Sequence, residues 1–418
     1  QKLATYMLPD AYVILDELPY TVHGKIDKKS LPKPERTDLI AKNDVVRPRN
    51  KWEVEISNIW ENILDVRPIG VTDNFFDIGG NSLKAVRLFD ELSKIYESNL
   101  PLATLFEAPT IAQLANILKG ADQQSVVNSS KLVVKINSER NNSLAPFFCV
   151  HGHFGNVLNF ERLAKKLEEN HPFYGLQAIG VNGDQKPLTD IKKIANRYVE
   201  EIKKVQPIGP YYVGGFCFGT LIALEIAHQL HSSGEVVARL VMFDPHPIQY
   251  PAFFTQHTLE SFRNFLIKQR INIHKNSIPN KNIVSKTKYI VNLITRNVIR
   301  RVENISFLYV SKICEWFDLS LPNIFNNLEL ANQLANTKYV RKKWVKDIDL
   351  FLSKKVTSGY TGNPQQDWSN ITTGKVHIHL VNDDGIIAGG EMFNEPYVHE
   401  TAEELRQCLN RTDVHQQV

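Results

Sequence analysis

Apolar residues recur at helical spacing in three stretches of the first third of the chain. Between Lys51 and Leu64 the inward positions are Ile56, Ile59, Trp60, Ile63 and Leu64. A run opening at Ser82 carries two possible stripes, Leu83, Val86, Phe89 and Leu92 or Leu88, Leu92 and Ile95, and stops before Pro101. A third helix is expected after Thr110, a good N-cap, with Ile111, Leu114, Ala115 and Leu118 inward. Together these predict a small all-α bundle over 51–120. The polar, Pro-bearing residues 37–50 and the Asp/Gln/Ser/Asn-rich residues 121–130 read as linkers.

From Lys131 the pattern changes. Lys131 to Asn137 alternates as an edge strand would, and Phe147 to His151 is a buried strand run. Ile191, Ile194, Ala195, Tyr198 and Ile202 mark an amphipathic helix. Strand 211–214, helix 219–230 and strand 239–243 follow, and later come strands at 348–352 and 376–381 and a closing helix at 396–409. Such alternation predicts a largely parallel sheet with helices on both faces. Pro247 to Lys346 breaks the alternation, as insertions that cover a site commonly do.

Composition narrows the function only a little. A chain of 418 residues is expected to hold two to four domains. A net charge of +4 argues against a nucleic-acid protein. Four scattered cysteines, Cys149, Cys217, Cys314 and Cys408, show no metal-ligand spacing and suit a reducing compartment. No run reaches membrane-spanning length and no secretory leader opens the chain, so a cytoplasmic location is expected. Gln1 follows no Met, so the chain is expected to be part of a longer polypeptide.

Three strings carry candidate chemistry. The first is Phe75-Phe76-Asp77-Ile78-Gly79-Gly80-Asn81-Ser82-Leu83, which exposes a hydroxyl at a helix N-terminus. Ser there is either an N-cap or a point of attachment for an anion-bearing group. The second is Gly215-Phe216-Cys217-Phe218-Gly219, between a strand and a helix. It has the G-x-S-x-G spacing of a nucleophile elbow with Cys for Ser, although a lone Cys is commonly a buried structural residue. A helix N-terminus lowers a thiol pKa, so Cys217 is expected to be partly thiolate near neutral pH. Asp244 ends the next strand, where a carboxylate is either a turn residue or part of a site. Upstream, Cys149-Val150-His151-Gly152-His153-Phe154-Gly155 is a Gly-bearing turn placed to supply an oxyanion amide. The third string is Leu18 to Pro32, with Gly24-Lys25 at its turn, which by pattern alone is a solvated basic loop.

Taken together, these strings resemble the termination module of nonribosomal peptide synthetases. Residues 1–36 resemble the last motif of an adenylation domain, where the lysine matching Lys25 contacts the acyl-adenylate. Residues 51–120 resemble a peptidyl carrier, a small four-helix bundle, with 4'-phosphopantetheine attached to Ser82; Asn81 stands where the family has an acidic residue or His. Residues 131–418 resemble a type I thioesterase of α/β-hydrolase fold, with a lid at about 247–346. The resemblance maps the nucleophile to Cys217, the triad acid to Asp244 and the oxyanion amides to His153 and Phe218. No metal is implied. The implied partners are upstream adenylation and condensation domains, a phosphopantetheinyl transferase and a peptidyl or aminoacyl thioester, and neither nucleic acid nor membrane is among them.

The resemblance breaks at one place. The family's catalytic His precedes the closing helix, and the matching positions here are Gly385 or Gly389. His377, His379 and His399 flank that loop, while Asp383 and Asp384 lie in it. The general base is therefore not identified, and a carrier joined to a degenerate, binding-only thioesterase is the alternative reading. The lid region carries sixteen Lys/Arg against five Asp/Glu, and the bundle from Lys51 to Lys119 six against ten. The basic side chains are either solvated helix faces or a surface for the acidic carrier.

Overall fold

Asn50 starts the first helix, α1 (Lys51–Leu64), by accepting the Glu53 N–H on its side-chain oxygen at 3.0 Å. Glu53 reaches back to the Arg49 N–H at 2.8 Å, so both ends of this first turn are satisfied. The computed structural model from which this is read describes residues 15, 17–20, 26, 30–32, 45–96, 100–121, 131–137, 144–167, 171–183, 185–245, 328–353, 364–381 and 390–411. They fall into two units, Gln1–Asn128 and Ser129–Val418.

In the first unit α1 packs with α2 (Ser82–Tyr96) and with α4 (Ile111–Ala121), and the short α3 (Thr104–Glu107) lies between those two in the chain. This is the expected four-helix carrier-type bundle. Thr110 caps α4 as expected, its Oγ1 accepting the Gln113 N–H, and Ile111, Leu114, Ala115 and Leu118 are buried. Neither expected stripe of α2 is the core stripe. Ala85, Leu88, Phe89 and Leu92 are buried, while Leu83, Val86 and Ile95 are exposed. The i, i+3, i+4, i+7 set that begins at Ala85 points inward, because the small Ala allows close approach where a Leu-led stripe would not. Phe75 is fully buried and meets Trp60 edge-on at 5.1 Å between ring centroids. Tyr20 and Ile26 form an isolated antiparallel bridge across the expected turn; Lys25 lies outside the described residues.

Among the described residues, the second unit is built on a seven-stranded sheet in the order β1-β3-β2-β4-β5-β6-β7. The strands are β1 (Val133–Lys135), β2 (Phe147–Val150), β3 (Phe173–Leu176), β4 (Tyr211–Phe216), β5 (Val237–Phe243), β6 (Ile348–Ser353) and β7 (Val376–Val381). Only β1 runs antiparallel, as the expected edge strand. α6 (Ile191–Val205) and α7 (Gly219–Ser232) share one core with Phe148, Val150, Val213, Leu240, Met242, Leu350 and Leu352. The alternate positions of the same strands present an aromatic layer to the other face, with Phe147, Phe173, Phe243 and Phe351 in contact. Helices α5 (Glu161–Lys166) and α10 (Val398–Asn410) pack together there. The expected lid falls largely outside the described residues. Its described end holds α8 (Leu328–Lys338) and Trp344, which is buried against His228 and His231 of α7. A short α9 (Pro364–Ser369) precedes β7. Among the described residues no helix is long and apolar enough to cross a membrane.

Polar clasps tie α10 to the sheet. Arg239 of β5 donates to the Cys408 carbonyl at 3.0 Å and to that of Arg411, which satisfies the C-terminal end of α10. His379 of β7 sits between Asp349 (3.1 Å) and Glu404 of α10 (2.9 Å), stacked on Phe351. Asp349, His379 and Cys408 bring ligand-type atoms within 4.8 Å of one another. The Arg411 guanidinium, at 3.1 Å from both Asp349 oxygens, already neutralises that cluster.

Burial alone would lower the His379 pKa, but its two carboxylate hydrogen bonds outweigh burial and raise it. A raised folded-state value means that this stabilisation is full below the unfolded pKa of about 6.5 and is lost as pH rises through the folded value. Buried His151, lowered to about 4, acts the other way and weakens the fold as pH falls below 6.5. The His379→Gln variant should therefore lose about 1 kcal/mol near pH 5.5 and less near pH 8. Thermal unfolding of variant and wild type side by side cancels the His151 effect; an equal loss at both pH values would contradict the assignment.

Candidate functional site

The first candidate site lies at the start of α2. Asn81 accepts the Lys84 N–H on Oδ1 at 3.0 Å, and its carbonyl takes the first intrahelical bond, from Ala85, at 2.8 Å. Asn81 is therefore the N-cap, and Ser82 is the first helical residue. The choice between cap and attachment point changes accordingly, because the hydroxyl has no capping duty. Ser82 is half-buried and, among the described residues, its hydroxyl makes no hydrogen bond. The Lys84 ammonium donates to the Gly79 carbonyl at 3.0 Å, which ties the loop before the helix to the helix itself.

The second candidate site is the turn between β4 and α7. Cys217 has φ 53°, a left-handed conformation that costs a non-glycine residue on the order of 1–3 kcal/mol. Two glycines make it possible. A Cβ on Gly215 would meet the Gly219 main chain, and one on Gly219 would meet the His151 carbonyl. The elbow is thus wedged against the end of β2. It is held there by Cys217 N–H to Phe243 O at 2.9 Å and by the Thr220 hydroxyl to Cys217 O at 2.6 Å. The thiol stands at the N-terminus of α7, where it accepts the Phe218 N–H.

Asp244 is placed by the next strand. It too has a left-handed φ, 43°, and is 5% exposed. Its Oδ1 accepts the Ser353 N–H at 2.8 Å and its N–H donates to Phe351 O at 2.9 Å, so it bridges β5 to β6. Its carboxylate lies close enough to oppose ionisation of Cys217. Burial, aided by that carboxylate, pushes the thiol up to about 11 against the pull of the Phe218 N–H. This corrects the expectation of a partly formed thiolate. One amide at a helix N-terminus does not outweigh loss of solvent plus a like charge. The protonated thiol is therefore the form favoured near neutral pH.

His153 and Phe218, the two expected oxyanion residues, are brought together. The β2–β4 ladder pairs Val150 with Gly215. Beyond the end of that ladder the rings of His153 and Phe218 meet edge-on at 6.3 Å between centroids. The His153 carbonyl accepts from buried Asn332 of α8 at 2.9 Å. Its Nε2 lies 3.8 Å from Glu329 Oε1, a contact that nothing in the sequence around His153 announces. His151 is buried, with Nε2 3.1 Å from the Tyr198 hydroxyl. The flanking histidines are held elsewhere. His377 pairs with Asp347 at 2.9 Å, His399 with Glu395 at 3.0 Å, and His379 with Asp349 and Glu404. His379 pairs with Phe351, which pairs with Phe243, which pairs with Phe216. That is three strand spacings, roughly 14 Å, from β4. Asp383, Asp384, Gly385 and Gly389 lie outside the described residues.

Comparison with known proteins finds matches to both units. The family model described as a thioesterase domain matches residues 145–386, and that described as a phosphopantetheine attachment site matches residues 54–118. Indigoidine synthase of Dickeya dadantii (strain 3937) is 41% identical over 240 residues, covering 57% of this chain and 16% of that protein. A dimodular nonribosomal peptide synthase of Bacillus subtilis (strain 168) is 34% identical over 247 residues, covering 59% of this chain and 10% of that protein. The chain thus spans less than a fifth of the length of these relatives. Among solved structures, a four-domain nonribosomal peptide synthetase bound to AMP and glycine matches with a TM-score of 0.49 at 25% identity, covering 98% of this chain and 30% of that one.

The charge arrangement predicts how Cys217 titrates. Its alkylation by iodoacetamide, followed by peptide mass, should still be rising at pH 10. The Asp244→Asn variant keeps the oxygen that accepts from Ser353 but removes the negative charge, so its profile should move to lower pH. An unmoved profile would show that Asp244 does not act on the thiol.

Proposed function

The chain belongs to the thioesterase-domain family, and on that premise we propose that it is the carrier and release portion of a nonribosomal peptide synthetase. The similarity to a dimodular nonribosomal peptide synthase of Bacillus subtilis supports this reading, as does the phosphopantetheine-attachment match ahead of the thioesterase match. The observation that carries it is Cys217, held at φ 53° with the Phe218 N–H on its sulfur, at the junction of a strand and a helix.

Ser82 is the attachment residue. Its uncommitted hydroxyl in the first turn of α2 fits a phosphodiester, since first-turn N–H groups and the helix dipole favour an anion there. When bound, the 4'-phosphopantetheine arm supplies a thiol that holds the acyl group as a thioester. Loading it requires a phosphopantetheinyl transferase and upstream adenylation and condensation domains. Lys25 of the adenylation-type motif completes that assignment of 1–36.

Cys217 then attacks the peptidyl or aminoacyl carbonyl. A new carbon–sulfur bond forms, the old one breaks, and the exchange is nearly even in energy because both are thioesters. The main-chain amides of Phe218 and His153 stabilise the negative charge that develops on the carbonyl oxygen. Asp244 is the acid of the site, fixed by the Ser353 N–H. The acyl group leaves Cys217 by attack of an amine, a hydroxyl or water. An amine is favoured, because a thioester reacts well with a free amine and poorly with unactivated water.

Two substitutions separate the roles. Ser82→Ala should abolish phosphopantetheine incorporation, read as intact mass after treatment with coenzyme A and a transferase. Cys217→Ala should load normally yet lower release by roughly a thousandfold or more. Release at the wild-type rate from Cys217→Ala would sink the reading, and loading without release in the wild type would return the binding-only one.

A further inference from the structure

A thiol held up to about 11 beside a carboxylate needs a proton acceptor before it can attack at neutral pH. Most described histidines are committed to other partners. His151 is buried against Tyr198, and His377, His379 and His399 are paired with carboxylates. His171 donates from Nδ1 to the Ala145 carbonyl, and His228 and His231 lie against Trp344. His153 also faces a carboxylate, and His151 also meets the Phe218 ring, at 6.4 Å between centroids, but both ring nitrogens of His151 are hydrogen-bonded, to the Gly152 carbonyl and the Tyr198 hydroxyl. The His153 loop lies against the elbow, since a Cβ on Gly219 would meet the His151 carbonyl, and the His153 ring stands edge-on to that of the residue after Cys217. It is partly open to solvent, with 27% of its side chain exposed, and Nε2 has a carboxylate at 3.8 Å. The loop is locked from both sides. A Cβ on Gly152 would meet Phe216 at 2.7 Å, and Asn332 holds the His153 carbonyl.

We propose that the His153 imidazole, oriented by the Glu329 carboxylate, is the general base of this site. The inference rests on the reading of Cys217 as the nucleophile. An imidazole held at one nitrogen by a carboxylate keeps its other nitrogen available to take the proton of a nearby nucleophile. As Sγ bonds to the acyl carbon, its proton passes to His153. As the arm's carbon–sulfur bond breaks, the imidazolium returns that proton to the departing sulfur. In release, His153 takes the proton of the incoming amine or water and delivers it to Cys217 as that thioester breaks. No proton is left over in either half. His153 thus serves twice, with its amide on the oxyanion and its ring on the proton.

Among the described residues, the titratable groups facing His153 are His151 on its own loop and Glu329 on α8. Burial lowers the His153 pKa and Glu329 raises it, so the ring is a neutral acceptor near pH 7 and Glu329 sets its strength.

The test is the pH profile of Cys217 alkylation by iodoacetamide on the full chain, which needs no carrier loading. Wild type should show a slow arm at neutral pH below the main rise. His153→Gln should lose that arm, at least roughly tenfold at pH 7, and rejoin wild type near pH 11, where the thiolate forms unaided. Added imidazole should restore the arm in His153→Ala, and Glu329→Gln should shift it to lower pH. A His153→Gln profile that overlies wild type, or lies below it by one factor at every pH, would overturn the proposal. A separate arm loads Ser82 and follows acyl transfer. Failure of the wild type to acylate, with the alkylation pattern intact, would sink the release reading and leave the base assignment standing.

Discussion

The second unit is organised around a close approach that only glycine permits. Gly219 sits on the carbonyls of Val150 and His151, so the start of α7 touches the end of β2 with no side chain between them. That contact forces the chain to turn within the few residues after Phe216, and Cys217 takes a left-handed φ as a result. The cost is offset by burial. Every residue from Gly219 to Ala227 is buried, and Val213, Leu240 and Met242 complete the core beneath. A side chain at either glycine would part helix from sheet and relax the turn that exposes the sulfur.

The same sheet edge collects charge. Asp244 is the second residue held at a positive φ there, and its carboxylate is locked by a β6 amide. Placing an anion beside a half-buried thiol holds Cys217 in its protonated form, a weak acid that needs a base to become a thiolate. This favours chemistry triggered by substrate over indiscriminate reaction of an exposed thiolate. At the other end of the sheet, Asp347 and Asp349 bind their own histidines, and Asp349 binds Arg411 as well, a network that engages those imidazoles away from the elbow.

Much of the architecture was legible from the residues. Helical spacing gave the bundle, strand-helix alternation the parallel sheet, and the Gly-flanked Cys its turn, because these depend on neighbours in sequence. The core stripe of α2 was not legible, since Ala85 counts weakly in any hydrophobic pattern yet lies at the point of closest packing. Asn81 as cap was hidden behind the more conspicuous Ser82. The Cys217 proton affinity depends on burial and on Asp244, which lies one strand away, and local sequence pointed the opposite way. Glu329 lies 176 residues beyond His153, and only the packing of α8 brings the two together.

The central claim is that one chain holds an acyl group first on Ser82 and then on Cys217. Peptide mapping of a loaded chain quenched in acid during a single turnover tests it directly. The account predicts that acyl mass leaves the Ser82 peptide, appears on the Cys217 peptide, and then declines as product forms. Product formed while the Cys217 peptide stays unmodified at every time point would contradict it.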